Sequence, residues 1–155
     1  MEETIEVRLA RLNVTLPAAA GPAANYLPFV RHGSLLYISG QLPLTAEGLA
    51  CRGKLGNGVS VEQGRNAARL CAINVLAQAK AALDGDIERI RQIVRITGFV
   101  ASAPHFTEQH LVVNGASDFL AEALGPSGRH ARAAVGTTAL PLDAAVEVDA
   151  IIAVD

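Results

Sequence analysis

Tryptophan is absent and aromatic residues make up only 4% of the chain, so its core must be aliphatic and rich in alanine. The same scarcity leaves no stacking platform for nucleic-acid bases. Basic residues are scattered rather than clustered, 13 against 15 acidic ones, for a formal net charge of −2. A surface of that kind does not neutralise a phosphate backbone, so no nucleic-acid partner is expected. Cysteine occurs twice, at Cys51 and Cys71, far apart and outside any CxxC pattern. With no signal-peptide pattern, reduced thiols and a cytoplasmic location are the expectation. Cys71 falls within a helical pattern and reads as a core filler. No apolar run reaches the roughly 18 residues of a membrane span, so no membrane partner is expected. His105, His110 and His130 stand far from any Cys or carboxylate at ligand spacing, and His32 reads as a turn residue. No metal site is therefore expected.

Half of the 155 residues are apolar and 18% are charged, enough to bury one core. A single domain over residues 1–155 is expected: an N-terminal helix and linker over 1–24, and a core over 25–155. In the helix, residues 2–13, Ile5, Leu9 and Leu12 recur at helical spacing. Residues 14–24, rich in Pro, Ala and Gly, read as a linker. Residues 25–30 and 35–38 read as a hairpin turning at Arg31-His32-Gly33-Ser34. The second strand leads into Ser39-Gly40-Gln41-Leu42-Pro43, where a glycine lets the backbone approach something closely; a ligand-free bulge is the other reading. A loop over 45–58 follows, with a short third strand around 52–55.

Ser60 with Gln63 three residues on is a capping box. It opens a helix whose stripe is Ala68, Cys71, Val75, Ala79 and Ala82, ended by Asp84-Gly85 with Gly85 as the residue that turns the chain. Residues 92–101 carry apolar residues on both faces, as a central, covered strand does. A second helix runs from about Thr107 to Leu124, with Val112, Ala116, Phe119, Leu120 and Ala123 inward and Gly125-Pro126 at its end. The order implies an α+β domain, a mixed sheet with two main helices on one face. Its other face lacks helices, and another subunit is expected to cover it.

The C-terminal stretch holds the candidate chemistry. Gly128-Arg129-His130-Ala131-Arg132-Ala133-Ala134-Val135-Gly136 and residues 144–154 read as two strands joined through Leu140-Pro141-Leu142-Asp143. Arg132 and Glu147 are charged residues among apolar neighbours. They are either an ion pair tying adjacent strands together or the two ends of a polar site. Asp149 reads as a solvated or paired acid, and Asn114, in a helix interior, as solvent-facing on pattern alone.

Several stretches together resemble the RidA/YjgF family: Asn25-Tyr26-Leu27-Pro28-Phe29, Ser39-Gly40-Gln41-Leu42-Pro43, Val113-Asn114, Ala131-Arg132, and Leu140-Pro141 through Val146-Glu147-Val148-Asp149-Ala150. Arg132 and Glu147 stand 15 positions apart, the spacing of the family's deaminases. The N-terminal helix and residues 102–124 resemble one branch of it. The resemblance implies a chorismate-mutase-like α+β fold and a homotrimer with sites at the subunit interfaces. It also implies cofactor-free hydrolysis of reactive 2-imino acids, of the 2-iminobutanoate and 2-iminopropanoate kind, to 2-oxo acids and ammonia.

In that reading Arg132 clamps the substrate carboxylate and Glu147 positions water. Ser39, Gly40 and Asn114 line the pocket, and Tyr26 closes it from a neighbouring subunit. Many family deaminases carry a Cys where this chain has Ala134. That departure keeps a second function open, a trimer that binds a small carboxylate without turning it over. The endoribonuclease label common in the family has little support in these residues.

Overall fold

The computed structural model describes residues 3–21 and 24–155. Glu2, where the helix expected over 2–13 begins, and Pro22 and Ala23 of the linker lie outside the described residues. Helix α1 spans Ile5–Arg11, capped by the Thr4 side chain. Its first amides also donate to the Glu88 carboxylate, from Ile5 at 3.1 Å and Glu6 at 3.0 Å. A carboxylate there satisfies orphan N–H groups and complements the helix dipole. Ile5 and Leu9 are buried, so α1 is a packed cover on the core.

Strands β1 (Phe29–His32) and β2 (Leu35–Gln41) form the expected hairpin, turning on Gly33-Ser34 with Gly33 at φ 62. The first strand was expected over 25–30 but begins only at Phe29. Pro28 has no N–H to give a ladder, and its carbonyl instead accepts from Ser39 N at 2.9 Å. Between Ile38 and Gln41 the register slips at Ser39-Gly40, the bulge that was one of the two readings of that stretch. The third strand expected near 52–55 is reduced to minor pairings outside the main sheet. These are β3 (Leu44–Thr45) with β4 (Gly48–Leu49), and β5 (Lys54–Leu55) with β6 (Gly58–Val59).

Helix α2, Val61–Ala82, carries the complete capping box, Ser60 accepting from Gln63 N and the Gln63 side chain accepting from Ser60 N. Its C-terminal turn differs slightly from expectation. Asp84 (φ 54) shares the left-handed conformation with Gly85 (φ 92), and Gly85 N donates to Lys80 O at 2.9 Å. Cys71 is fully buried, as expected of a core filler. Strand β7 spans Ile90–Ala101, helix α3 Gln109–Leu124, strand β8 Ala131–Thr137 and strand β9 Val146–Val154.

The five main strands run in the order β1-β2-β9-β7-β8, with β7 and β8 parallel and the other pairs antiparallel. The fold is mixed α+β, with α2 and α3 packed on one face. That face buries Leu36, Ile38, Ile93, Ile96, Val100, Val148 and Ile152 against Leu76, Val112, Phe119 and Leu120. Each such side chain contributes about 1.5–3 kcal/mol. The helices cross closely: a Cβ on Gly115 of α3 would stand 2.0 Å from the Arg65 carbonyl of α2. Strand β7 is central, but only one of its faces is covered within the chain. The other side of the sheet leaves Val30, Tyr37, Val94 and Val135 exposed.

Candidate functional site

The expected pair, Arg132 and Glu147, does not meet within one chain. β8 and β9 are not neighbours, because β7 runs between them. Arg132 is in register with Ile96 of β7, and Ile96 with Ala150 of β9; both are buried on the helix-covered face. Glu147 pairs with Phe99, one step out of phase with buried Val100, and so belongs to the opposite face. The alternative of an ion pair between adjacent strands is thereby corrected: β7 separates them, and neither residue takes part in an ion pair found among the described residues. Two hollows lie near them: Arg132 lines the first, and Gly40, against which Glu147 lies, lines the second.

The first is an open hollow between α3 and the edge strand β8, lined by Asn114, Ser117, Asp118, Arg129, His130 and Arg132. Its polar groups hold one another. Arg132 donates from one terminal nitrogen to Ser117 Oγ at 2.9 Å and from the other to the His110 carbonyl at 3.1 Å. Ser117 Oγ also lies 2.8 Å from His130 Nε2, and His130 Nδ1 lies 2.6 Å from the Gly128 carbonyl. A carbonyl only accepts, so Nδ1 carries the ring proton, and Nε2 accepts from the Ser117 hydroxyl. Burial chiefly, and the Arg132 charge as well, lower the His130 pKa against the opposing pull of the Gly128 carbonyl. Burial and the Arg132 charge thus favour the neutral ring.

Asn114, one turn before Ser117, is half-buried in the lining rather than directed wholly to solvent. Ala134 shares the Arg132 face and packs on the core. A planar guanidinium already fixed by two partners, with N–H groups to spare, suits a carboxylate or another planar anion.

The second hollow is lined by Tyr26, Pro28, Ser39, Gly40, Gln41 and Gln78, among others. The Glu147 carboxylate lies across Gly40, where a Cβ would stand 2.0 Å from Oε1, so only glycine leaves room for it. Burial first, and then the nearby Asp149 carboxylate, raise the Glu147 pKa above its ordinary value. Asp149 itself accepts from Thr97 N at 3.1 Å, the paired acid expected of it. The Ser39 hydroxyl donates to the Leu27 carbonyl at 2.7 Å, pinning the segment that carries half-exposed Tyr26. Gln78 of α2 donates to Ala20 O at 2.8 Å, while its buried Oε1 has no partner among the described residues.

Ser39, Gly40, Tyr26 and Glu147 thus gather at one place, and Asn114 and Arg132 at the other. Sequence reasoning passed over Ser117 and His130. Two periodicities pointed to them: His130 alternates onto the Arg132 face of β8, and Ser117 follows Asn114 by one helical turn.

A family profile described as "YjgF/chorismate_mutase-like, putative endoribonuclease" matches residues 6–153. The chain belongs to the YjgF/chorismate-mutase-like family. Protein TCP17 of Trypanosoma cruzi is 48% identical over 149 residues, covering 96% of this chain and 92% of that protein. Among crystal structures, Atu1372 of Agrobacterium tumefaciens, described as of unknown function, is 54% identical with a TM-score of 0.92, covering 97% of this chain and 92% of its own. A Shewanella oneidensis relative described as a putative endoribonuclease is 35% identical with a TM-score of 0.94, covering 98% and 100%. The more distant YjgF gene product of E. coli shares the fold, at 22% identity and a TM-score of 0.61 over 98% of each chain. The YjgF-like fold expected from the sequence is therefore established. Among the described residues no helix is long and apolar enough to cross a membrane.

Proposed function

We propose that this YjgF-family chain hydrolyses reactive 2-imino acids to 2-oxo acids and ammonia, in a homotrimer whose sites form between subunits. The observation that carries the reading is the Arg132 guanidinium, held at 2.9 Å by Ser117 and 3.1 Å by the His110 carbonyl before any anion arrives. It binds the substrate carboxylate through its remaining N–H groups, with Asn114 beside it. Glu147 of a neighbouring copy, lying over Gly40 with Ser39 and Tyr26 near it, orients the water. The water oxygen bonds to the imine carbon, the water's two protons pass to the nitrogen, and the C–N bond breaks as C=O forms, so that the nitrogen leaves as ammonia. Orientation of a carbon that is already electrophilic supplies much of the rate.

Arg132 and Glu147 face opposite sides of the sheet, which is why the site needs two copies. The exposed strip of Val30, Tyr37, Val94 and Val135 is the surface the trimer would bury.

The test generates 2-iminobutanoate in situ and follows its decay. Wild type is expected to accelerate it above buffer, and Arg132→Ala and Glu147→Gln are each expected to abolish the acceleration. Refolding the two inactive variants together should restore roughly a quarter of wild-type activity, one intact site in each mixed trimer. No acceleration by wild type would end the reading, and no recovery on mixing would end the shared site.

A non-catalytic carboxylate binder is the second reading, favoured by Ala134 on the Arg132 face of β8, where many family deaminases carry a Cys. Calorimetric binding of 2-oxobutanoate without imine hydrolysis would select it. Endoribonuclease activity, the description of the Shewanella relative, finds only Arg129 and Arg132 beside His130 to recognise phosphate. RNA cleavage lost in Arg132→Ala but kept in Glu147→Gln would favour it.

A further inference from the structure

So far Ser117 has only held Arg132 and His130 has had no role, yet the Ser117–His130–Gly128 chain is joined to the Arg132 guanidinium by a hydrogen bond. Its order is directional. The Gly128 carbonyl accepts a hydrogen bond from Nδ1–H, which leaves Nε2 as the acceptor for Ser117 O–H. Arg132, donating to the same oxygen, stabilises negative charge that develops on it. The other charged groups lining this hollow are Arg129 and Asp118, and Asp118 is engaged by Arg65 of α2 at 3.3 Å. Among the described residues no carboxylate other than that of Asp118 lines the hollow to draw His130 toward its charged form.

We propose that Ser117 and His130 form a proton-transfer pair fused to the carboxylate clamp, with His130 Nε2 as the base that acts through Ser117 Oγ on water beside a clamped 2-imino acid. This rests on the hydrolytic reading of the site and adds the base to it, leaving Glu147 to orient the water. In the addition step the water oxygen bonds to the carbon of the protonated imine. The water's proton passes to Ser117 Oγ as the Ser117 proton moves to His130 Nε2. In the collapse step the imidazolium returns its proton through Ser117 to the amine nitrogen. The C–N bond then breaks as C=O forms, and the hydroxyl proton leaves with the nitrogen as ammonium. A carboxylate on Arg132 is necessarily close to Ser117, because one guanidinium nitrogen already binds that hydroxyl.

Two measurements test this. In the imine-decay assay His130→Gln should lower kcat by about 100-fold or more, the usual worth of a positioned base. Its KM should stay within about 3-fold, and the acid limb of the pH–rate profile should lose the His130 contribution, leaving only that of Glu147. Ser117→Ala should follow it, and Ser117→Thr, which keeps the hydroxyl, should recover most of the loss. A variant whose kcat holds while KM rises would reduce the pair to a brace for Arg132 and overturn the proposal.

The second measurement is independent of turnover. Nitrogen-15 NMR of wild-type His130 at neutral pH should show the neutral ring protonated on Nδ1. Adding 2-oxobutanoate should shift its Nε2 signal, with no shift in Arg132→Ala. A ring protonated on Nε2, or indifference to the 2-oxo acid in wild type, would overturn the proposal whatever the assay shows. The expected spectra in a protein that does not hydrolyse imines would end the hydrolytic reading and, with it, the pair's role as base.

Discussion

The two hollows of this chain are built on opposite plans. Around Arg132 the polar groups hold one another in a chain: guanidinium to serine and carbonyl, serine to histidine, histidine to carbonyl. Around Glu147 the carboxylate is fitted by shape, over a glycine, and in the hollow that this glycine lines the buried Gln78 Oε1 has no partner among the described residues. A pre-wired cation recognises an anion with little reorganisation. A carboxylate half removed from water, without a cation beside it, is held closer to its neutral form and becomes responsive to pH. One side of the proposed site is rigid recognition, and the other is tunable chemistry.

The largest effect should come from keeping the two sides apart. Val135→Glu puts a charge in the exposed apolar strip, far from Ser117 and His130 on the other face of the sheet. It should yield monomers by sedimentation and remove all imine hydrolysis, while the His130 signals stay as in wild type. Gly40→Val comes next. Its Cβ would collide with Glu147 Oε1 at 2.0 Å and displace the carboxylate. Activity should fall about 100-fold or more, with calorimetric binding of 2-oxobutanoate on the Arg132 side reduced far less.

Gly115→Ala separates stability from both hollows. Forcing α3 off the Arg65 carbonyl should cost about 1–3 kcal/mol in a denaturant titration. Ser60→Ala, remote from both hollows, should cost about 1 kcal/mol through loss of the α2 cap and leave catalysis alone.

The smallest effect is a pH dependence of stability. The native state raises the Glu147 pKa, so it binds that proton more readily than the unfolded chain does. Stability then falls as pH rises from the ordinary Glu range through the raised native value. Glu147→Gln should therefore melt higher than wild type at neutral pH, and the gain should vanish below the ordinary Glu range. A gain that persists in acid would assign it to packing instead.

Local features were readable from the residues because local physics decides them. The Ser60–Gln63 box, the inward stripe of α3 and the bulge at Ser39-Gly40 each depend on neighbours a few positions away. The RidA/YjgF resemblance extended that to the fold. The faces of Arg132 and Glu147 relative to each other were not readable. The Leu140-Pro141 connection suggested adjacent strands, whereas β7, from 30 or more residues upstream, inserts between them. Strand order is a long-range property, and one intervening strand turned a supposed salt bridge into two separate surfaces. His130 was passed over for a related reason. Its partners are a serine on the preceding helix and a backbone carbonyl, neither of which appears in a metal or Cys–His spacing.

Ala134 has a consequence of a different kind. The site would work without sulfur, since the strand position two residues after Arg132 bears only a methyl group. Of the two thiols, Cys71 is sealed in the core, where burial pushes its pKa well up, and Cys51 is half-buried with its pKa also raised by burial. Thiolate, the species that peroxide and electrophiles attack, is thus scarce throughout the molecule. This chain should keep its activity through oxidative or alkylating stress that would silence a relative relying on a cysteine beside its clamp.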